Sequence, residues 1–533
     1  MTNLFPLFVA VPLAAAFVLP ILGRARARWP LDALAVMAAL FVAGFSLVAL
    51  FGAGSQTLWV GGWRPVPNSP LGISLYADGL TRLLLVTISM VTLAAVLYSI
   101  QYMERFTGKG LYYSLFFLMV AGMFGVVLTG DLFNLYVFLE VAAIASYAIV
   151  AFGCESEELE ASFKYLILGA LGSTLVLFGI AMLYNQTGTL NMARIGDFVA
   201  REGLNPVLLL AASLFFAGFG LKAAMVPFHA WLPDAHPSAP APISAMLSGV
   251  LIKALGVYAL CRVFFNVLGM AGGAFPAVLI VLGALSMIVG VLLAVGQWDF
   301  KRLLAYHSIS QMGYVVLAVG LAGALLARVS GATTPAEAAF LKSTAALAIF
   351  GGLFHLFNHA AFKSLLFLCA GAAEYATGTR QLKDLGALIK TMPVTGACCR
   401  IAALSISGVP PFNGFWSKLI IILALARAGA GNAAAEVPGN VAYYWLAGLT
   451  VLVSFLTLVS FVKVQRYALQ GEANPEHANV REVPGWMCAG MVILAAVCLG
   501  AGIFCPFIQG SLFEPARDVL ISGLYYAQLA MGG

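Results

Sequence analysis

His355, His359 and Lys363 stand at i, i+4 and i+8 within one apolar run. On a helix that spacing puts them on one face, and a rise of ~1.5 Å per residue holds neighbours roughly 6 Å apart. Groups at that separation can exchange protons through one or two waters. Histidine titrates near neutral pH, and a dehydrated lysine can also give up its proton. Two histidines at i, i+4 are also half of a metal site. No nearby carboxylate or cysteine completes the ligand set, so no metal is expected.

Other ionisable residues share this setting. Glu140 is central in LFNLYVFLEVAAIASYAIVAFG, Lys222 lies five residues before Pro227, Lys253 is central in ISAMLSGVLIKALGVYAL, and Lys418 follows Pro410 and Pro411. Each such group costs about 2.5–3.5 kcal/mol at the bilayer centre on insertion scales. One of them could be a packing pair or a lysine reaching the interface. So many, centrally placed, point instead to a path for charge, and proton transfer is the chemistry these residue types share.

Two proline-dense segments adjoin these lysines. Segment 217–242 (AGFGLKAAMVPFHAWLPDAHPSAPAP) also holds His229, Asp234 and His236, and segment 407–418 (SGVPPFNGFWSK) holds Lys418. Proline removes a helix hydrogen bond, and freed backbone at membrane depth is tolerated only beside protein or a water-filled cavity. Broken helices in corresponding places of two halves point to a transport site. The expected halves are inverted repeats over 111–266 and 276–465, flanked by 1–110 and a C-terminal region 466–533.

The elements that must position these residues follow from composition. The chain has 533 residues, 62% hydrophobic and 9% charged. A soluble domain carries about 25% charged residues, so a water-soluble enzyme is excluded. A spanning helix needs about 20 apolar residues. About fourteen such runs occur: 4–23, 31–52, 78–101, 111–130, 132–153, 163–185, 206–227, 243–266, 276–296, 303–325, 340–372, 393–427, 442–465 and 486–508. The fold expected is an all-α polytopic membrane bundle. Runs 340–372 and 393–427 are too long for a straight span, so a break is expected in each. Segment 509–533 is open between a surface helix and a partial extra span, 62–72 reads as an irregular outside loop, and 467–484 as an inside linker.

Arg24, Arg26 and Arg28 follow the first run rather than precede it, so it reads as a true span with the N-terminus outside rather than a cleaved signal. The remaining basic loops, Arg105/Lys109, Lys301/Arg302, Arg380/Lys383/Lys390 and Lys463/Arg466/Arg481, then fall inside. The net charge of +6 is spread singly, which is no nucleic-acid footprint. The eight cysteines show no ligand spacing, and adjacent Cys398 and Cys399 read as apolar packing. No nucleotide loop, cluster ligand set or haem pair stands out, so neither a cofactor nor a catalytic centre is expected in this chain.

Several segments carry a resemblance: LKAAMVPFHAWLPDAHPSAPAPISAMLSGVLIKALGVYALCR (221–262), DLFNLYVFLEVAAIASYAIVAFG (131–153), KRLLAYHSISQMGYVV (301–316), NHAAFKSLLFLCAGA (358–372) and GVPPFNGFWSK (408–418). Over nearly its whole length the chain resembles the antiporter-like, proton-conducting subunits of respiratory complex I, Mrp-type cation/proton antiporters and energy-converting membrane hydrogenases. The resemblance implies fourteen helices with two inverted five-helix repeats. It implies a Glu140–Lys222 pair, Lys253 as a relay, His359 and Lys363 on the eleventh helix with His355 on the same face, and Lys418 facing the outside exit. His307, in YHSISQMG, is a further candidate with His229 and Asp234.

TGTLNMA (187–193) looks like the D subunit of Mrp antiporters, while DAHPSAPAPISAMLSGVLIK (234–253) looks like the hydrogenase-type and complex I subunits. A role like that of the Mrp D subunit, in a multisubunit complex of the plasma membrane, is expected, moving protons and leaving sodium open. Two alternatives stand beside it: a pumping subunit of a redox-driven complex, and a non-conducting scaffold. Other membrane subunits and the bilayer are the expected partners.

Overall fold

The computed structural model describes residues 4–24, 29–52, 54–63, 72–270, 272–472, 474–477 and 480–531. Arg26, Arg28 and most of the 62–72 loop lie outside the described residues. Eleven described helices are long and apolar enough to cross a membrane, and Leu7–Leu22, Pro206–Lys222 and Pro393–Ser407 are shorter apolar helices. In chain order they begin with α1 (Leu7–Leu22), α2 (Trp29–Leu50), α3 (Gly79–Tyr102), α4 (Lys109–Leu128), α5 (Leu132–Val150) and α6 (Ser156–Thr187). A surface helix α7 (Met192–Glu202) precedes α8 (Pro206–Lys222) and α9 (Leu232–Ser238). Next come α10 (Ala241–Val267), which contains π-helical turns, and α11 (Phe275–Val295), α12 (Phe300–Val329) and α13 (Pro335–Thr377). The last are α14 (Pro393–Ser407), α15 (Asn413–Ala430), α16 (Val441–Leu469) and α17 (Gly485–Ile503). A short antiparallel pair, β1 (Gln56–Trp59) with β2 (Ser74–Ala77), lies on the same end as the start of α3.

The membrane-length apolar runs fix where the helices are, and local capping fixes where they start. Asp78, Asp131, Asn205 and Asp299 each accept a hydrogen bond from a backbone N–H in the first turn they precede. Helix α10 is enclosed by the rest of the bundle along its whole length. It can therefore be apolar all round and still hold a lysine away from lipid.

A repeated clasp relates the two halves. Thr189 N–H donates to Thr187 Oγ1 and Asn191 N–H to Thr189 Oγ1, while Thr379 N–H and Gln381 N–H make the same bonds to Thr377 and Thr379. These Thr-Gly-Thr turns dock on the residues that cap α5 and α12. Leu132 N donates to Leu190 O and Phe300 N to Arg380 O, both at 2.9 Å, with bridges Asp131–Asn191 and Asp299–Gln381. Helix by helix, the first clasp falls at one end of the bundle and the second at the other, which is the relation of inverted repeats.

The two long runs behave differently. Run 393–427 is broken as expected, between α14 and α15. Run 340–372 is not: α13 is one continuous helix of 43 residues. Its only proline is Pro335 in the first turn, so nothing interrupts its hydrogen-bond ladder. At ~1.5 Å per residue it is longer than the ~30 Å hydrocarbon core.

Residues 505–531 form neither an extra span nor a lone surface helix. They fold into short turns with α18 (Glu514–Ser522) and α19 (Tyr526–Met531), laid over the end of the bundle where α3 starts. A Cβ on Gly79 would meet the Pro515 carbonyl carbon at 2.3 Å, so this close approach requires glycine. Beneath that cap Arg262 grips Asp78 with two bonds of 2.7 and 2.8 Å. Tyr526 covers the guanidinium at 5.0 Å, and Asn266 Nδ2 donates to Val519 O and Gly523 O.

Candidate functional site

The fold brings the candidate lysines and histidines into a buried interior. Lys222 ends α8, and its Nζ donates to the Tyr147 hydroxyl at 3.1 Å. Tyr147 meets Tyr165 edge-on at 4.5 Å, and Tyr165 stacks on Trp231 at 4.2 Å. Trp231 Nε1 donates to Leu221 O in the last turn of α8, a carbonyl that also accepts from Ala224 N–H. The break therefore satisfies its own backbone while holding Lys222 in place.

Glu140 does not pair directly with Lys222. Among the described residues no basic nitrogen lies within 4.0 Å of Glu140, and its buried Oε1 has no hydrogen-bond partner. Glu140 is half-buried on α5, bordering a stripe of exposed Phe133, Val137 and Ile144. The expected ion pair is open in this conformation.

Lys253 lies in the enclosed α10, and its Nζ donates to Ser248 O at 2.7 Å. Ser248 Oγ meets Ser308 Oγ of α12 at 2.7 Å, and Ser308 Oγ donates to Leu304 O at 3.1 Å. Lys363 Nζ donates to that same Leu304 carbonyl. Ser248 and Ser308 thus stand between Lys253 and Lys363, with Lys253 on the Ser248 main-chain carbonyl and Ser308 and Lys363 sharing Leu304 O as acceptor. His359, also on α13, is buried with both ring nitrogens unpartnered, one turn from both His355 and Lys363.

The line of lysines and histidines continues along α13. His355 Nδ1 lies 3.0 Å from Ser417 Oγ, next to Lys418. Tyr314 sits between them, its ring 5.3 Å from the His355 ring and 5.2 Å from Lys418 Nζ. Lys418 Nζ donates to Ile406 O at 2.7 Å and to Ser454 Oγ at 3.2 Å. Ile406 O belongs to the last turn of α14, so at the second break the lysine itself takes up a carbonyl of the helix end.

The remaining candidates divide. His307 is buried on α12, its Nε2 2.8 Å from Ser460 Oγ and its Nδ1 unpartnered. His229 is half-buried in the turn between α8 and α9. Asp234 is not buried with them. It takes Lys164 at 3.1 Å and Arg302 at 3.3 Å on the wall of a polar cavity of ≈ 500 Å³, lined also by Glu157, Glu160, Asp299 and Arg380. That cavity opens at the end of the bundle where α9 turns into α10. His236, on α9, lies deeper, between Trp231 and Phe367, with neither ring nitrogen bonded.

Sequence reasoning missed Tyr147, Ser248, Ser308, Tyr314 and Ser417 as partners. Isolated serines and tyrosines in apolar spans give no signal until packing pairs them across helices. Among the described residues no group of three His, Cys, Asp or Glu could hold a metal ion. Cys398 and Cys399 are buried and free.

Residues 129–332 and 338–437 match the family model described as NADH:quinone oxidoreductase/Mrp antiporter, transmembrane, and residues 63–117 match that of the complex I chain 5 N-terminus. The chain belongs to this family. It is 33% identical over 527 residues to the D subunit of the Na(+)/H(+) antiporter of Alkalihalophilus pseudofirmus, covering 98% of this chain and 99% of that one. It is 35% identical over 492 residues to the N subunit of the NADH-quinone oxidoreductase of Desulforudis audaxviator, covering 90% and 89%. A chain of the archaeal membrane-bound sulfane sulfur reductase, a respiratory membrane complex, superposes with a TM-score of 0.82 at 28% identity, covering 99% of each. This family member is a multi-pass membrane protein of antiporter-like architecture.

Proposed function

We propose that this chain is a proton-translocating, antiporter-like component of a multisubunit membrane complex, of the Mrp D-subunit type, in the plasma membrane with its N-terminus outside. The observation that supports the reading is the set of buried lysines and histidines, Lys222, Lys253, Lys363, His359, His355 and Lys418, with Lys222 and Lys418 each beside a broken helix. The end-to-end match to an antiporter D subunit favours the Mrp-type assembly. In this reading 111–266 and 276–465 are the two half-paths, and the polar cavity around Asp234 is the inside mouth.

Protons enter at that mouth and load Lys253. They then reach Lys363 and His359, with Lys222 as the adjoining store, and leave past Lys418. Glu140 acts as the switch on Lys222. Drawn toward the amine, it stabilises the charged form; held apart, it favours release. Because these groups interact, the titration belongs to the set rather than to each residue.

The likeness to the N subunit of an NADH-quinone oxidoreductase and to a respiratory complex supports a second reading, a pumping component driven by redox chemistry in neighbouring subunits. Tagging the chain in its native membrane and identifying the subunits that co-purify separates the two. Small membrane subunits alone support the antiporter; flavin or iron–sulfur subunits support the redox-driven pump. Glu140→Gln tests the switch in either assembly: coupled transport should be nearly abolished, and unchanged transport removes the switch role.

A further inference from the structure

A second cavity, ≈ 580 Å³, shares no lining residue with the lysine line and lies at the end of the bundle covered by residues 505–531. Its walls are the end of α2, the start of α3 and the C-terminal cap, and they are mostly apolar, with Arg82 among them. Arg82 is 7% exposed, and its Nε has no hydrogen-bond partner. Its Nη2 donates to Gly54 O at 2.6 Å, which satisfies a proton but not the charge. The natural counter-ion, Asp78, is one helical turn away, but both its carboxylate oxygens are taken by Arg262 at 2.7 and 2.8 Å. Among the described residues no carboxylate lies within 4.0 Å of the Arg82 guanidinium.

A guanidinium this buried without a close carboxylate is costly, and an anion from outside the chain would supply the missing counter-charge. Arg82 is three residues into α3, ~4.5 Å along its axis, so it lies near the end of the span rather than at its middle. The cavity opens toward an apolar outer face: Phe51, just past α2, is 80% exposed, and Leu47 on α2 is 53% exposed. Asp518, also on the wall, is held by Arg517 at 2.8 Å, so the one acid there is already paired.

We propose that this cavity binds the phosphate of a membrane phospholipid on Arg82, with the acyl chains lying along the exposed face of α2. A free phosphate would use the same guanidinium, so the test separates the two. The full-length chain, delipidated in detergent, is titrated by native mass spectrometry with phosphatidylglycerol, phosphatidylethanolamine, diacylglycerol of the same chains, or inorganic phosphate.

One phospholipid per chain should be retained, diacylglycerol should not be, and millimolar phosphate should not displace the lipid. Arg82→Gln should weaken retention roughly ten-fold or more, the loss expected for a charge-assisted contact. Ser511→Trp fills the mouth from an exposed position and should weaken retention while leaving Arg82 in place, which keeps the test valid if Arg82→Gln misfolds. Equal retention by both variants, equal binding of diacylglycerol, or displacement by inorganic phosphate would each overturn the assignment.

Discussion

Tyr147→Phe isolates the group that holds Lys222. The phenol oxygen is the acceptor for Lys222 Nζ at 3.1 Å, while the ring is fixed independently by its edge-on contact with Tyr165 at 4.5 Å. Phenylalanine therefore keeps the packing and deletes one hydrogen bond to a charged group. Such a bond contributes about 1.5–3 kcal/mol, and its loss in a buried site is not made up by solvent. At ~1.4 kcal/mol per ten-fold, occupancy of charged Lys222 falls by roughly 10- to 150-fold relative to the neutral amine, and proton flux through that step should fall with it. The assay is the initial rate of acidification of membrane vesicles containing the assembled complex, followed with a pH-sensitive dye at matched protein amounts. Adding Tyr147→Phe to Lys222→Met should bring no further loss, because the hydroxyl acts through the amine. Wild-type flux in Tyr147→Phe, with the complex intact, would refute the role given to this contact.

Two further substitutions test other parts of the account. Ser308→Ala removes the 2.7 Å contact with Ser248 that bridges Lys253 to Lys363; a neutral bond contributes ~0.5–1.5 kcal/mol, so vesicle flux should drop a few-fold with assembly of the complex unchanged. Arg262→Ala leaves Asp78 buried without its partner, and breaking a buried pair costs about 3–5 kcal/mol. A lowered thermal transition of the purified chain checks this, and Arg262→Lys should recover only part of it because an ammonium cannot reproduce the two-pronged grip on the carboxylate.

Much of the fold was legible because lipid imposes one rule on every span. Twelve of the fourteen apolar runs fall mainly on a single helix, and the other two, 206–227 and 393–427, run into the breaks at 223–231 and 408–412, where proline was dense. The lysines and histidines were legible because a charge in an apolar run is conspicuous. What stayed hidden depends on packing between distant segments. Nothing in the run 340–372 marks it as continuous except the absence of proline, while its length argued for a break. That Glu140 and Lys222 do not bond directly depends on how α5 and α8 pack, and composition carries no sign of it. The Arg262–Asp78 grip joins residues 184 positions apart, beneath a C-terminal segment whose short apolar stretches resemble either a span or a surface helix. The second Thr-Gly-Thr turn, at 377–379, was readable in principle as a copy of the first, and only its matching hydrogen bonds show that the likeness is structural.

Lys363 stands where the account concentrates the path, reached from Lys253 through the two serines and sharing a helix with His359 and His355. Proton flux by the assembled complex carrying Lys363→Met, with every subunit verified present, is therefore the most direct measurement. The account predicts flux reduced to the passive leak of the vesicles. Wild-type flux in that variant would contradict it and leave the chain a scaffold.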